Sequence, residues 1–277
     1  MLEKIRFINH INEEIKFGEN GVYANYNDLR DYTWNPTILN SRISGFSKGV
    51  VTKTIPVVIH CESENAGITI KNRLMEFAEK DILAKQHGKI IIGDYYLKAF
   101  ITGSKKSEYL LEKGYMKTTL TLKTDFPDWI KETVVAFRTN LASAVNVEGR
   151  NLDYNYDFPY DFTSGMVNKK LVNTGFVGTN FKMIFYGPVV NPTVHVAGHT
   201  YQVNCEVGEG EYLTVDSLSK TIVLTKNDGT QENKFNYRNR DSYVFEKIPA
   251  GDSPVTWDGG SGFDVILLEE RSEPKWT

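Results

Sequence analysis

Thr193-Val-His-Val-Ala-Gly-His-Thr-Tyr-Gln-Val-Asn-Cys205 sets the fold class of the second half of this chain. Thr193–Val196 alternates as a strand does, Ala197-Gly198 makes a tight turn, and Thr200–Cys205 returns as a second strand. Outward from this hairpin the pattern repeats. Phe181-Lys-Met-Ile-Phe-Tyr186 alternates and stops at Gly187-Pro188, and Thr221–Thr225 and Gln231 onward flank the turn signal Asn227-Asp228-Gly229. Tyr243-Val-Phe245 and Phe263–Leu268 complete the expected strands. Short strands at close spacing, with no helix between them, argue for a β-sandwich beginning near Asn151.

The first half reads as strands around one helix, an α+β arrangement. Ile5 and Phe7, then Ile15 and Phe17, alternate about the polar turn Asn12-Glu13-Glu14 and predict an opening hairpin. Gly49–His60 is rich in β-formers, and Pro56 within it calls for an edge or a bulge on its N–H side. Residues 18–48 have no clean period and read as a loop, long enough to be functional or held by a partner. Residues 65–87 read as the helix, with Ile70, Leu74, Phe77, Ala78 and Ile82 on one face and Gly88 as its left-handed stop. Lys89–Ile92 then turns through Gly93-Asp94, a type II′ signal, into Tyr95–Ile101. Tyr115–Thr124 is expected to close the sheet, with Met116, Thr118, Leu120 and Leu122 inward.

Composition bounds the function. The 277 residues carry 32 Lys plus Arg against 35 Asp plus Glu, a formal charge of −3 and a pI near 6.0. That balance lacks the basic excess of a protein that grips nucleic acid through phosphates, and no sequence-specific nucleic acid is expected. An apolar share of 40% with 24% charged residues is that of an ordinary globular chain of one large or two modest domains. Met1-Leu-Glu-Lys-Ile-Arg-Phe-Ile-Asn-His10 mixes charge into its start, so no signal peptide is expected, and synthesis in a reducing cytoplasm is. No run approaches the roughly 18 apolar residues that span a bilayer, so no membrane insertion is expected. Cys61 and Cys205 read as free thiols rather than a disulfide.

No chemistry stands out. Asp153, Asn155 and Asp157 match the first ligands of an EF-hand loop, but Phe158 replaces its glycine and Ser164 its last glutamate. His195 and His199 flank a turn rather than share a helix face, and His60 and Cys61 are strand neighbours that point apart. His10 and His87 add nothing. Gly259-Gly260-Ser261-Gly262 is no phosphate loop, and there is no nucleophile elbow. Trp34, Trp257 and the run Tyr154–Phe162 read as packing residues before they read as a sugar-stacking platform. No catalytic, cofactor or metal residue is assigned, and the chain is not expected to be an enzyme.

Several segments in order carry a family resemblance. They are Asn27-Asp-Leu-Arg-Asp-Tyr-Thr-Trp34, Glu79-Lys-Asp-Ile-Leu-Ala84 leading into Gly88–Leu97, and the aromatic Tyr156-Asp-Phe-Pro-Tyr-Asp-Phe162. Phe185–Pro192, Gly210–Asp216 with Lys220-Thr-Ile222, Phe245–Gly251 and Glu269–Thr277 follow. Together they resemble the distal tail proteins of siphophages and prophages of Gram-positive bacteria. The resemblance implies a tail-tube-like ring-forming domain over 1–145, an aromatic connector over 146–164 and a galectin-like β-sandwich over 165–277. It also implies a homo-hexamer ring, single or stacked in pairs, at the virion tail tip. That ring would join the tail tube protein and the tape measure protein to a tail-associated lysin or receptor-binding proteins. The sugar-binding motif of galectins is missing: Val190-Asn-Pro-Thr193 stands where H-x-N-P-R would, with no following W-x-x-E-x-R.

A closed ring of identical subunits needs head-to-tail contacts. Residues 18–48, with Tyr23, Tyr26, Tyr32, Trp34 and Phe46, are a candidate for them, either lying across a neighbour or folded on their own domain. A slightly acidic chain suits a conduit for DNA. The competing readings are a cell-wall carbohydrate-binding adhesin module and a hydrolase of wall polymer.

Overall fold

The computed structural model describes residues 3–110, 114–138 and 170–276. The aromatic connector, the EF-hand-like residues 153–164 and the expected start of the sandwich lie outside these. The chain divides into two units, Met1–Lys131 with Glu270–Thr277, and Glu132–Glu269. The division therefore falls at Lys131/Glu132 rather than near 145 or Asn151, and the last eight residues return to the first unit.

In the first unit, β1 (Ile5–Ile8) and β2 (Glu14–Phe17) form the expected hairpin, with Phe7 opposite Ile15. β3 (Val22–Ala24), β4 (Asn35–Leu39) and β5 (Arg42–Ser47) follow, then β6 (Val51–His60), α1 (Glu64–Ala84) and β7 (Gly88–Ile92). β8 (Tyr95–Leu110), β9 (Tyr115–Thr124) and the start of β10 (Trp129–Phe137) complete it. β8 serves two sheets. Its first residues extend the order β2-β1-β7-β8, and from Phe100 onward it pairs with β9 in the order β8-β9-β6-β3. Register shifts after Ile101 and after Lys106 let it bend from one sheet to the other. Phe7, Ile55, Ile59, Ile90, Leu97, Leu120 and Leu122 from both sheets fill one core, capped by Leu74 and Phe77 of α1.

Several expectations change here. β9 is flanked by β6 and β8, so it is an interior strand and not the closing one. α1 ends three residues early, with Lys85 taking the left-handed conformation at φ 55°. Gly88 is instead a buried strand residue, where a Cβ would come within 2.6 Å of both Asp81 Oδ2 and Phe7 Cε1. Close approach, not a positive φ, requires glycine there. Ile82 is exposed, and Asp81 is the buried residue of that last part of the helix. Pro56 meets its edge: its carbonyl accepts from Asn25 N, and its missing N–H faces the same side, one residue beyond the last β3 partner Val57.

The reading of residues 18–48 as a loop is corrected to β3 plus the two-stranded hairpin β4–β5. Asn40 and Ser41 both have positive φ, 50° and 61°, the type I′ geometry that matches strand twist. Neither strand buries a residue, so burial imposes no period on this stretch.

The second unit is all-β among the described residues apart from one 3-10 turn at Phe235–Tyr237. Its strands are β11 (Lys170–Asn173), β12 (Asn180–Tyr186), β13 (Val189–Val190), β14 (Thr193–Val196), β15 (His199–Gln202) and β16 (Glu206–Val207). β17 (Tyr212–Asp216), β18 (Thr221–Thr225), β19 (Gln231–Asn233), β20 (Gly251–Trp257) and β21 (Phe263–Arg271) complete it. One sheet runs β19-β18-β17-β12-β21, the other β11-β20-β14-β15. Phe181, Met183, Phe185, Leu213 and Val265 of the first sheet meet Val194, Val196, Tyr201 and Val255 of the second in one core. Tyr243–Phe245 lies in turns instead of a strand, yet Val244 and Phe245 are buried in that core.

Candidate assembly surface

The hairpin β4–β5 is held at its base rather than along its length. Before it, Asp28 anchors the chain: its carboxylate accepts from Thr54 N at 2.6 Å and from Thr54 Oγ1 at 2.9 Å. Leu29 is buried beside it. Lys53 Nζ, on β6, donates to the carbonyls of Asp28 and Asp31, and burial holds this amine below its ordinary range. Arg30 donates to Glu3 and, at 2.8 Å, to the carbonyl of Pro274, while its guanidinium lies 3.9 Å from the centre of the Trp276 ring. After the hairpin, Lys48 pairs with Asp128, donates to Ser272 Oγ at 2.9 Å, and lies 4.2 Å above the Trp34 ring. Both ends of the hairpin are thus fastened to one spot, and the C-terminal residues form part of the fastening. A hollow of about 190 Å³ bounded by Tyr32, Lys48, Lys53 and Trp129 lies under it.

From that base the hairpin carries its apolar side chains into solvent. Pro36 pairs with Phe46 and Ile38 with Ile43, and the register shifts between Thr37 and Ile38. Directly opposed residues share a face, and so do residues two apart on β4. Without the shift, Ile43 and Phe46, three residues apart, would point to opposite faces. The bulge brings Pro36, Ile38, Ile43 and Phe46 onto one side. Ile38, Ile43 and Phe46 are 68%, 60% and 61% exposed. The hairpin thus presents an exposed apolar side, with Leu39, 64% exposed, on its other face.

The other candidate residues are dispersed. His195 bonds Thr200 Oγ1 at 3.0 Å, and His199 faces the Tyr243 carbonyl at 2.9 Å. His60 meets Tyr115 edge to face, and both cysteines are free thiols, Cys205 buried. Among the described residues, no three His, Cys, Asp or Glu side chains stand close enough to hold a metal. Trp257 packs on Phe137 and Phe263 as part of the sandwich core wall. His10, given no role from the sequence, bonds buried Asp81 through both its Nδ1, at 2.6 Å, and its backbone N–H, at 2.8 Å. The anchoring roles of Arg30, Lys48 and Lys53 were likewise missed, because their partners lie far away in sequence.

No protein-family model matches the sequence, and no curated protein matches it. Solved structures do. A chain of the phage P2 baseplate in its activated conformation with calcium aligns at a TM-score of 0.62 and 12% identity, over 99% of this chain and 100% of that one. The strontium form of that baseplate aligns at 0.61 with the same identity and coverage. The Dit protein of phage SPP1, described as a paradigm of the hub adsorption apparatus in phages infecting Gram-positive bacteria, aligns at 0.59 and 10% identity, over 96% of this chain and 99% of that one. Over nearly its whole length, this chain has the fold of the siphophage distal tail proteins.

Proposed function

We propose that the chain is a structural component of a phage tail tip, a distal tail protein. It forms a hexameric ring that joins the tail tube to the host-attachment apparatus and leaves a channel for DNA. The observation that carries this is the coverage: single chains from a baseplate and a hub align with both units of this one, end to end. In this reading Met1–Lys131 with the returning C-terminus is the ring-forming part, and the second unit is the outward sandwich of galectin-like shape. Its neighbours are a tail tube protein and a tape measure protein on one side, and a tail-associated lysin or receptor-binding proteins on the other. The β4–β5 hairpin supplies the head-to-tail contact that closes the ring. The role is scaffolding rather than catalysis.

Light scattering on the purified chain during size-exclusion chromatography, over a range of concentrations, tests this. The expected mass is about six, or for paired rings twelve, times the 31.5 kDa of one copy. A monomer that binds cell-wall saccharide would favour the adhesin reading instead.

A further inference from the structure

The second unit holds more acids than bases, so a base left without an acid there calls for a reason. Arg138 pairs with Asp264, Lys170 with Asp252, Lys182 with Asp216, and both Lys226 and Lys234 with Glu232. Lys220, Arg238 and Arg240 have no ion pair among the described residues. All three belong to one end of the sandwich. Lys220, in the turn between β17 and β18, lies 5.5 Å from the centre of the Tyr243 ring and 5.4 Å from that of Phe245. Phe245 stacks on Phe235 at 6.0 Å, and the Arg238 guanidinium lies 4.0 Å over Phe235. Arg240 follows in the exposed turn that Asn239 ties to Gln202. Asp241 and Glu246 are neighbours in the chain and pair with none of the three. A cation resting on a ring keeps its charge open to an outside anion.

The other end of the same strands is acidic. β17 and β18 have five residues each, so the turn of Lys220 is about 17 Å from the turns at their far ends. Those far turns are tied together, Asn227 Nδ2 donating to the Glu209 carbonyl at 2.9 Å. They carry Glu209, Glu211 and Asp228, with Glu206 just before them on β16. None of these four acids has an ion pair among the described residues, and Lys226, the base within reach of Glu211 and Asp228, is held by Glu232. Glu206, Glu209 and Asp228 are exposed.

Like ends of such a unit repel and unlike ends attract, which favours a head-to-tail contact over a two-fold one. Resting on the ring reading, we propose that the sandwiches of neighbouring copies meet end to end, the Lys220, Arg238 and Arg240 end of one against the Glu206, Glu209 and Asp228 end of the next. This contact is charged where the hairpin is apolar, and it sets the direction in which copies follow one another.

Sedimentation velocity of the full chain over a range of concentrations tests it. Lys220→Glu with Arg240→Glu, and separately Glu206→Lys with Glu209→Lys, should each raise the concentration at half-assembly about tenfold, since each sets like charges against one another. All four substitutions in one chain, and an equimolar mixture of the two double variants, should both return it to the wild-type value, because each restores opposite charges across the contact. The four side chains are exposed, and circular dichroism of each variant checks folding; glutamine replaces any reversal that disturbs it. A wild-type assembly that the double variants match overturns this contact and leaves the ring standing. So does weakening that neither the fourfold chain nor the mixture reverses. A wild-type monomer at every concentration overturns the ring and this contact together.

Discussion

Lys53 shows how one residue ties a loop to a sheet. Its ammonium reaches the carbonyls of Asp28 and Asp31 from the face of β6 whose other buried residues, Ile55, Val57 and Ile59, enter the core. Burial, more than the opposing pull of Asp28 and Asp31, lowers its pKa below the ordinary 10.5. The unfolded chain keeps this proton up to about its ordinary value, whereas the folded chain releases it at lower pH. Between the two the unfolded state binds more protons, so raising the pH favours the folded state. Compared with Lys53→Met, wild type should therefore gain urea midpoint as the pH rises toward the ordinary lysine value of 10.5. A gap that stays flat or narrows would refute the assignment. Gly88 makes a second case. Gly88→Ala places a methyl against Asp81 and Phe7 and should cost about 1–3 kcal/mol in chemical denaturation. Destabilisation near that of an exposed glycine replacement would mean the strand shifts without strain.

At the scale of elements, the hairpin and the helix differ in what holds them. Helix α1 is fixed by Leu74 and Phe77 in the core and by Asp81 bonded to His10. The hairpin depends on a turn, a bulge and anchors at its base. Ile43→Ser together with Phe46→Ser should strip the hairpin of its apolar face while removing no buried contact. The folded chain should then melt within about 0.5 kcal/mol of wild type, as surface changes do, and assembly measured by sedimentation should weaken at least tenfold. Unchanged assembly would show that the apolar face is not the contact. The same bulge explains why this element was hidden in the sequence. Strands 193–196 and 115–124 alternate because one face of each is buried, whereas Ile43 and Phe46 follow no period of two. Tyr243–Phe245 shows the opposite error, since three core-seeking residues in a row fit a turn as well as a strand.

At the scale of the molecule, the C-terminus belongs to the unit that the chain left about 140 residues earlier. Ser272, Pro274 and Trp276 engage Lys48 and Arg30, so the end of the chain secures the root of the hairpin. Truncation after Glu269 should raise hydrogen exchange across residues 28–48, while β12, β17 and β18 keep their protection. Exchange that rises equally in both units would contradict a local role for the tail. The sequence alone determined much of this protein. It contained the strand-rich class, helix α1, most of the hairpins of the second unit, the absence of a recognisable catalytic motif and the segments that resemble distal tail proteins. Those features are local, set by side-chain period, turn residues and short motifs. The unit boundary, the strand β8 shared by two sheets, the anchors Arg30, Lys48 and Lys53, the His10–Asp81 pair and the apolar side of the hairpin were decided by the tertiary structure. Each depends on residues far apart in the chain, or on a register shift that changes which face a side chain takes, and neither leaves a local period to read.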